Sequence, residues 1–154
     1  MVNADLLKGL AKDEAAAVLG LGKRMVLNTG AELFRLGDAA DSIYLVTRGC
    51  LRLTLPMQVY SRQEDVLVEE RATGQTVGWS ALIPPYRYTL TATAALDTEA
   101  IGLRRDALKD YFAAHPGTGY VVSLNLSTVI GQRLQLFQAM WLREVQRMVE
   151  MRCA

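Results

Sequence analysis

The sequence predicts a mainly β domain with flanking helices. Three observations carry this. Between Lys23 and Leu103, short apolar runs alternate with glycine and aspartate, the texture of strands joined by tight turns. On either side of that region, apolar residues fall at helical spacing. Finally, the run Gly74–Ala94 packs two glycines, one helical turn, a proline pair and an alternating strand into one continuous stretch.

The elements follow in order. Residues 3–22 read as helical: Leu6, Leu7 and Leu10, then Ala15 to Leu19, form a loose apolar stripe. Asp13 and Glu14 open a second short helix, and Gly20 and Gly22 close it. Its polar side lacks the basic residues of a membrane-surface helix. Strands are expected at Arg24–Leu27, Glu32–Leu36, Ser42–Thr47, Leu51–Leu55, Asp65–Glu70, Tyr88–Ala95 and Glu99–Leu103. Turn signals separate them at Thr29-Gly30, Gly37-Asp38, Arg48-Gly49 and Leu96-Asp97. Short strands at this spacing predict a sandwich or small barrel. The glycines keep no fixed period, which argues against a solenoid.

After Leu103 the pattern becomes helical again. Leu108, Tyr111 and Phe112 share one face, and His115-Pro116-Gly117 ends that helix. A long helix is expected from Gly119 to about Met151. Ser127, Ile130, Leu134, Phe137, Trp141, Glu144, Met148 and Met151 recur at steps of three and four. That heptad spacing on a terminal helix reads as a homodimer seam, interrupted at Glu144. With no linker or low-complexity tract, residues 1–154 read as a single domain. It divides into N-terminal helices (1–22), a β region (23–103) and C-terminal helices (105–152).

The totals narrow the function. The chain has 154 residues, 51% hydrophobic and 21% charged, enough for one folded core. Seventeen basic and 16 acidic residues leave a net charge of +1, without the basic excess of a nucleic-acid surface. Cys50 and Cys153 lie far apart with no CxxC spacing, so reduced thiols and a cytoplasmic location are expected. The N-terminus carries no signal-peptide pattern. No apolar run approaches the roughly 20 residues that span a bilayer.

Catalysis is not expected. The single histidine, His115, reads as a polar group facing a helix carboxyl end, and one histidine cannot build a metal site of several ligands. Asp38 and Asp41 read as turn formers, and no serine or cysteine has a histidine partner in an evident motif. No metal or cofactor is implied. Arg48, Arg52, Arg62, Arg71, Arg104 and Arg105 read as solvated surface.

Within Gly74–Ala94, Gly74 and Gly78 mark a loop that can take unusual backbone angles. Ser80–Ile83 is one helical turn, stopped by Pro84-Pro85. From Tyr88 the pattern alternates, with Tyr88, Leu90, Ala92 and Ala94 on one face and Thr89, Thr91 and Thr93 on the other. Unpaired amides at the start of the turn suit an anion.

The order of motifs carries a resemblance. Gly30-Ala-Glu-Leu-Phe-Arg-Leu-Gly37-Asp38, then Asp41-Ser-Ile-Tyr44-Leu-Val46-Thr-Arg-Gly49-Cys-Leu-Arg-Leu, resembles the cyclic nucleotide-binding domain of the catabolite activator (CRP/FNR) superfamily. Gly74 and Gly78-Trp-Ser-Ala-Leu fall where that family has its phosphate-binding cassette. The resemblance implies an eight-stranded double-stranded β-helix (a jelly roll or β-roll) followed by a hinge helix and a long dimerisation helix. It implies a cyclic nucleotide such as cAMP or cGMP, or another small anion, held by Gly78, Trp79, Ser80, Ala81, Leu82, Arg87, Tyr88 and Thr89. Ser123, Asn125, Ser127 and Thr128 are the candidates facing the base. Ligand binding would then move the long helix and signal to a downstream protein.

Two positions depart from the family. Its cassette glutamate, which accepts a bond from the ribose, is Trp79 here. Its arginine, which pairs with the cyclic phosphate, is Tyr88 by ungapped counting, with Arg87 one residue away on the opposite strand face. The family's regulators continue into a winged-helix DNA reader. This chain stops at Ala154, so no recognition helix and no direct DNA partner are expected. The alternative reading is a non-catalytic dimeric scaffold whose degenerate pocket no longer binds nucleotide.

Overall fold

A computed structural model describes residues 3–154. A 3-10 turn, Asp5–Leu7, and helix α1, Lys12–Gly20, precede the strands. The strands are β1 (Lys23–Leu27), β2 (Glu32–Phe34), β3 (Ser42–Arg48), β4 (Cys50–Val59), β5 (Arg62–Ala72), β6 (Thr76–Val77), β7 (Thr91–Ala94) and β8 (Thr98–Arg104). A second 3-10 turn, Trp79–Ala81, lies between β6 and β7. Helices α2 (Arg105–Ala114) and α3 (Pro116–Cys153) complete the chain.

The strands form two four-stranded antiparallel sheets, β1-β8-β3-β6 and β2-β7-β4-β5. Their inner faces supply the core: Ile43, Leu45, Leu51, Leu53, Val77, Ala92, Ala94 and Leu103 are all buried. This is the expected jelly roll with flanking helices. The alternation read at Tyr88, Leu90, Ala92 and Ala94 holds, since all four are buried. Ladder pairing starts only at Thr91, however, so the strand is shorter than Tyr88–Ala95.

The β4–β5 hairpin exceeds the expected Leu51–Leu55 and Asp65–Glu70. It runs on to a tip at Tyr60, whose φ is 53°. β7 reaches only to Thr54, so Pro56 lies where one edge of β4 is free and needs no donor. Within this hairpin, Leu53 pairs with Glu69 while Thr54 pairs with Leu67, so Val68 is a bulge. The bulge shifts the side-chain phase of β5. Glu69 and Arg71 consequently share the inward face with Leu53 and Leu51. Arg71 is 5% exposed, which corrects its reading as surface.

Helix α2 buries Leu108 and ends at His115, whose ring stacks on Tyr111 and whose Nδ1 lies 3.1 Å from the Tyr111 carbonyl. Pro116 occupies the first turn of α3, where its missing N–H costs nothing. The two helices cross closely at Gly119, where a Cβ would come within 2.9 Å of the Phe112 Cβ. α3 packs inward through Val122, Leu126, Val129 and Arg133. Past Arg133 it has no buried residue, and Leu134, Phe137, Trp141, Met148 and Met151 are exposed. No helix among the described residues is long and apolar enough to cross a membrane.

Candidate functional site: the cassette recess

β6 delivers the chain to Gly78, which adopts the left-handed conformation (φ 81°, ψ 34°). A side chain there would be strained and would sit 3.2 Å from the Tyr88 ring. The turn Trp79–Ala81 follows, one residue earlier than expected. The carbonyl of Ala81 accepts a 2.9 Å bond from Arg105 Nη1, which also donates to Ala40 at 2.6 Å. The same guanidinium lies 3.9 Å over the Tyr86 ring. Arg105 therefore fastens the cassette to α2, which corrects its reading as solvated surface.

Gly78, Trp79, Ser80, Tyr88 and Thr89 line one recess together with Phe34, Leu53, Leu90 and Arg133. Its volume is about 10 Å³, room for about one water. Aromatic rings fill the rest. Tyr88, 5% exposed, stacks on Phe34 at 3.8 Å between centroids, and the planes lie 11° apart. Its hydroxyl donates to the Ser42 carbonyl at 2.7 Å. Burial, reinforced by Tyr44, holds the phenol well above its ordinary pKa.

The other sequence candidates lie elsewhere. Ala81 and Leu82 pack into the core. Arg87 is exposed and donates to the Gly37 carbonyl at 3.0 Å, outside the recess. Loop pairing of Ala39 with Arg87 fixes it on that outer side. Ser123, Ser127 and Thr128 are exposed on α3. Ser127 and Thr128 bond back to the carbonyls of Ser123 and Leu124, as helix hydroxyls do. Asn125 reaches the other way and donates to the carbonyls of Leu6 and Lys8 at 2.9 and 2.8 Å. None of the four faces the recess.

The α3 residue that does enter it is Arg133, 9% exposed. Its Nε donates to Glu69 Oε2 at 2.6 Å. Glu69 Oε1 accepts from Arg71 Nη1 at 2.8 Å, and Arg71 Nη2 reaches Asp5 Oδ2 at 2.8 Å. Asp5 also accepts from the amide and hydroxyl of Thr76. A chain of four ionised groups thus runs from α3 across β5 to the N-terminal turn and the strand that feeds the cassette. Desolvation lowers the pKa of Arg133, and Glu69 opposes this. Sequence reasoning missed Arg133 because it is polar and lies outside the apolar heptad. Its partner Glu69 gave no signal either, because the inward turn of Glu69 depends on the Val68 bulge.

Among the described residues no group of three histidine, cysteine or acidic side chains can hold a metal. A larger cavity, about 600 Å³, lies outside the cassette between Asn3–Leu10 and α1. Leu7, Leu10 and Leu19 line it, and the one acid there, Asp5, is already paired.

A profile of the cyclic nucleotide-binding domain matches residues 24–115. The chain belongs to the cyclic nucleotide-binding domain family. The cyclic AMP receptor protein of Thermus thermophilus is 27% identical over 135 residues, 88% of this chain and 59% of that protein. Lysophospholipase nte1 of Aspergillus fumigatus is 29% identical over 109 residues, 71% of this chain and 7% of that protein. The crystal structure of the Thermus thermophilus catabolite activator protein superposes with a TM-score of 0.76 at 24% identity, covering 93% of this chain and 63% of that one. This chain therefore spans less than two thirds of these relatives, and the last likeness concerns the fold.

Proposed function

We propose that this chain is a non-catalytic regulatory module that acts as a homodimer through α3, and that its recess does not take a cyclic nucleotide. The observation that carries this is the Phe34–Tyr88 stack, sealed by the bond to Ser42. Pockets for small ligands measure roughly 300–1,000 Å³. About 10 Å³ remains here. The acid and guanidinium expected of the cassette are Trp79 and Tyr88, and each charge-assisted bond forgone is worth about 1.5–3 kcal/mol. The exposed apolar stripe of α3 at heptad spacing suits a second copy of the chain. The free thiols of Cys50 and Cys153 suit a reducing cytoplasm.

A second reading is cAMP or cGMP sensing at Gly78–Leu82 that signals through α3 to a downstream protein. Its support is the left-handed Gly78 and the guanidinium of Arg133 at the recess. Thermal unfolding with millimolar cAMP and cGMP separates the two readings. The expected result is no change. Ligand at 100 times its dissociation constant adds about 2.7 kcal/mol of stability, and a shift of that order would overturn the first reading.

A further inference from the structure

The cavity between the N-terminal turn and α1 has a chemistry of its own. Its volume of about 600 Å³ falls within the roughly 300–1,000 Å³ of small-ligand sites. It shares no lining residue with the cassette recess. Its floor is aliphatic, built by Leu7, Leu10, Ala15, Ala16 and Leu19. Its charge is one-sided. Lys8 and Lys12 line it, both exposed, and neither ammonium pairs with an acid among the described residues. Asp5, the one acid in the lining, is committed to Arg71 and Thr76. Asp13 and Glu14 belong to the first turn of α1 but do not line the cavity. Ala11 gives the first amides of α1 no side-chain cap, so these N–H groups add positive potential beside Lys12.

The walls are fastened independently of any ligand. The Asp5 amide donates to the Gly74 carbonyl at 2.8 Å, Asn125 holds the carbonyls of Leu6 and Lys8, and buried Val18 anchors α1. A site held in this way binds without the cost of ordering a loop. We propose that this cavity takes a fatty acid as its carboxylate. The alkyl chain covers the leucines and alanines of the floor, and the carboxylate meets Lys8 and Lys12. An aliphatic floor under two unpaired ammonium groups suits an anionic amphiphile, because the chain displaces water from the leucines while the head group answers the charge. A compact inorganic anion would leave the floor wet, and a neutral chain would leave both lysines without a partner.

The test titrates the full chain with sodium laurate below its micellar concentration, read by calorimetry and by NMR. Saturable binding at one site is expected, with shifts concentrated at residues 3–19. Decanoate should bind about tenfold more weakly, since each buried methylene contributes roughly three- to fourfold. Dodecanol and dodecyltrimethylammonium should bind at least about tenfold more weakly than laurate, because neither forms the charge-assisted bonds. Lys8→Gln with Lys12→Gln, two exposed substitutions that leave the core intact, should weaken laurate to a similar degree. Ala16→Trp, at an exposed position of α1, should fill the cavity and abolish binding. Circular dichroism checks that each variant is folded. The absence of saturable laurate binding, equal binding of the alcohol or the cationic amphiphile, or unchanged affinity in the folded lysine variant would each overturn the proposal. Flotation with vesicles of phosphatidylcholine and phosphatidylglycerol, without binding of monomeric laurate, would overturn it in favour of a membrane contact.

Discussion

Tyr88→Phe isolates how the recess is held shut. The variant keeps the ring stack on Phe34 but leaves the buried Ser42 carbonyl without its donor. We expect a loss of about 1–2 kcal/mol in urea unfolding. A second residue-scale outcome concerns pH. Asp97 accepts from the Thr29 amide at 2.8 Å and the Thr29 hydroxyl at 2.9 Å, and the backbone bond leads in lowering its pKa. A carboxylate with a lowered folded pKa stabilises the fold above its unfolded value of about 3.9, and that contribution fades as pH falls through the folded value. An NMR titration should place Asp97 below the ordinary range, and Asp97→Asn should remove its share of the acid sensitivity. Single residues were unevenly legible in the sequence. The buried face at Tyr88, Leu90, Ala92 and Ala94 followed from alternation, which backbone geometry enforces. Arg71 and Glu69 did not, because nothing in the sequence marks Val68 as the bulge that turns them inward.

Among elements, the N-terminal turn is the most cross-braced. Asp5 ties it to Arg71 and Thr76, and Asn125 ties the carbonyls of Leu6 and Lys8 to α3. Asn125→Ala removes both amide bonds and should cost about 1–2 kcal/mol, with faster hydrogen exchange at residues 6–10 as the measured sign. The helices were readable at this scale because their breakers are unambiguous: His115-Pro116 splits α2 from α3, and Gly20 ends α1. The β4–β5 arm was read too short because beyond Leu53 neither of its faces is buried, and its run Leu55-Pro-Met-Gln-Val opposite Arg62-Gln-Glu-Asp carries no apolar–polar alternation to report it. The candidates Ser123, Ser127 and Thr128 missed the recess for a related reason. Resemblance gave the helix but not its rotation, which Val122, Leu126 and Val129 set by packing inward.

For the molecule as a whole, Leu134, Phe137 and Trp141 form an exposed apolar stripe along α3. On the proposed homodimer reading, the wild type should sediment as a dimer and Trp141→Glu as a monomer in sedimentation equilibrium. In the wild type the unfolding temperature should rise with protein concentration, and in the variant that dependence should vanish. A wild type that is monomeric at high micromolar concentration would refute the seam.

The reach of α3 beyond its last buried residue has a mechanical side. Leu134–Cys153 extends about 30 Å at 1.5 Å per residue, so a tilt of roughly 10° pivoting near Arg133 would sweep the far end by about 5 Å. Were α3 to tilt where the charge chain meets it, the far end of this arm would move furthest.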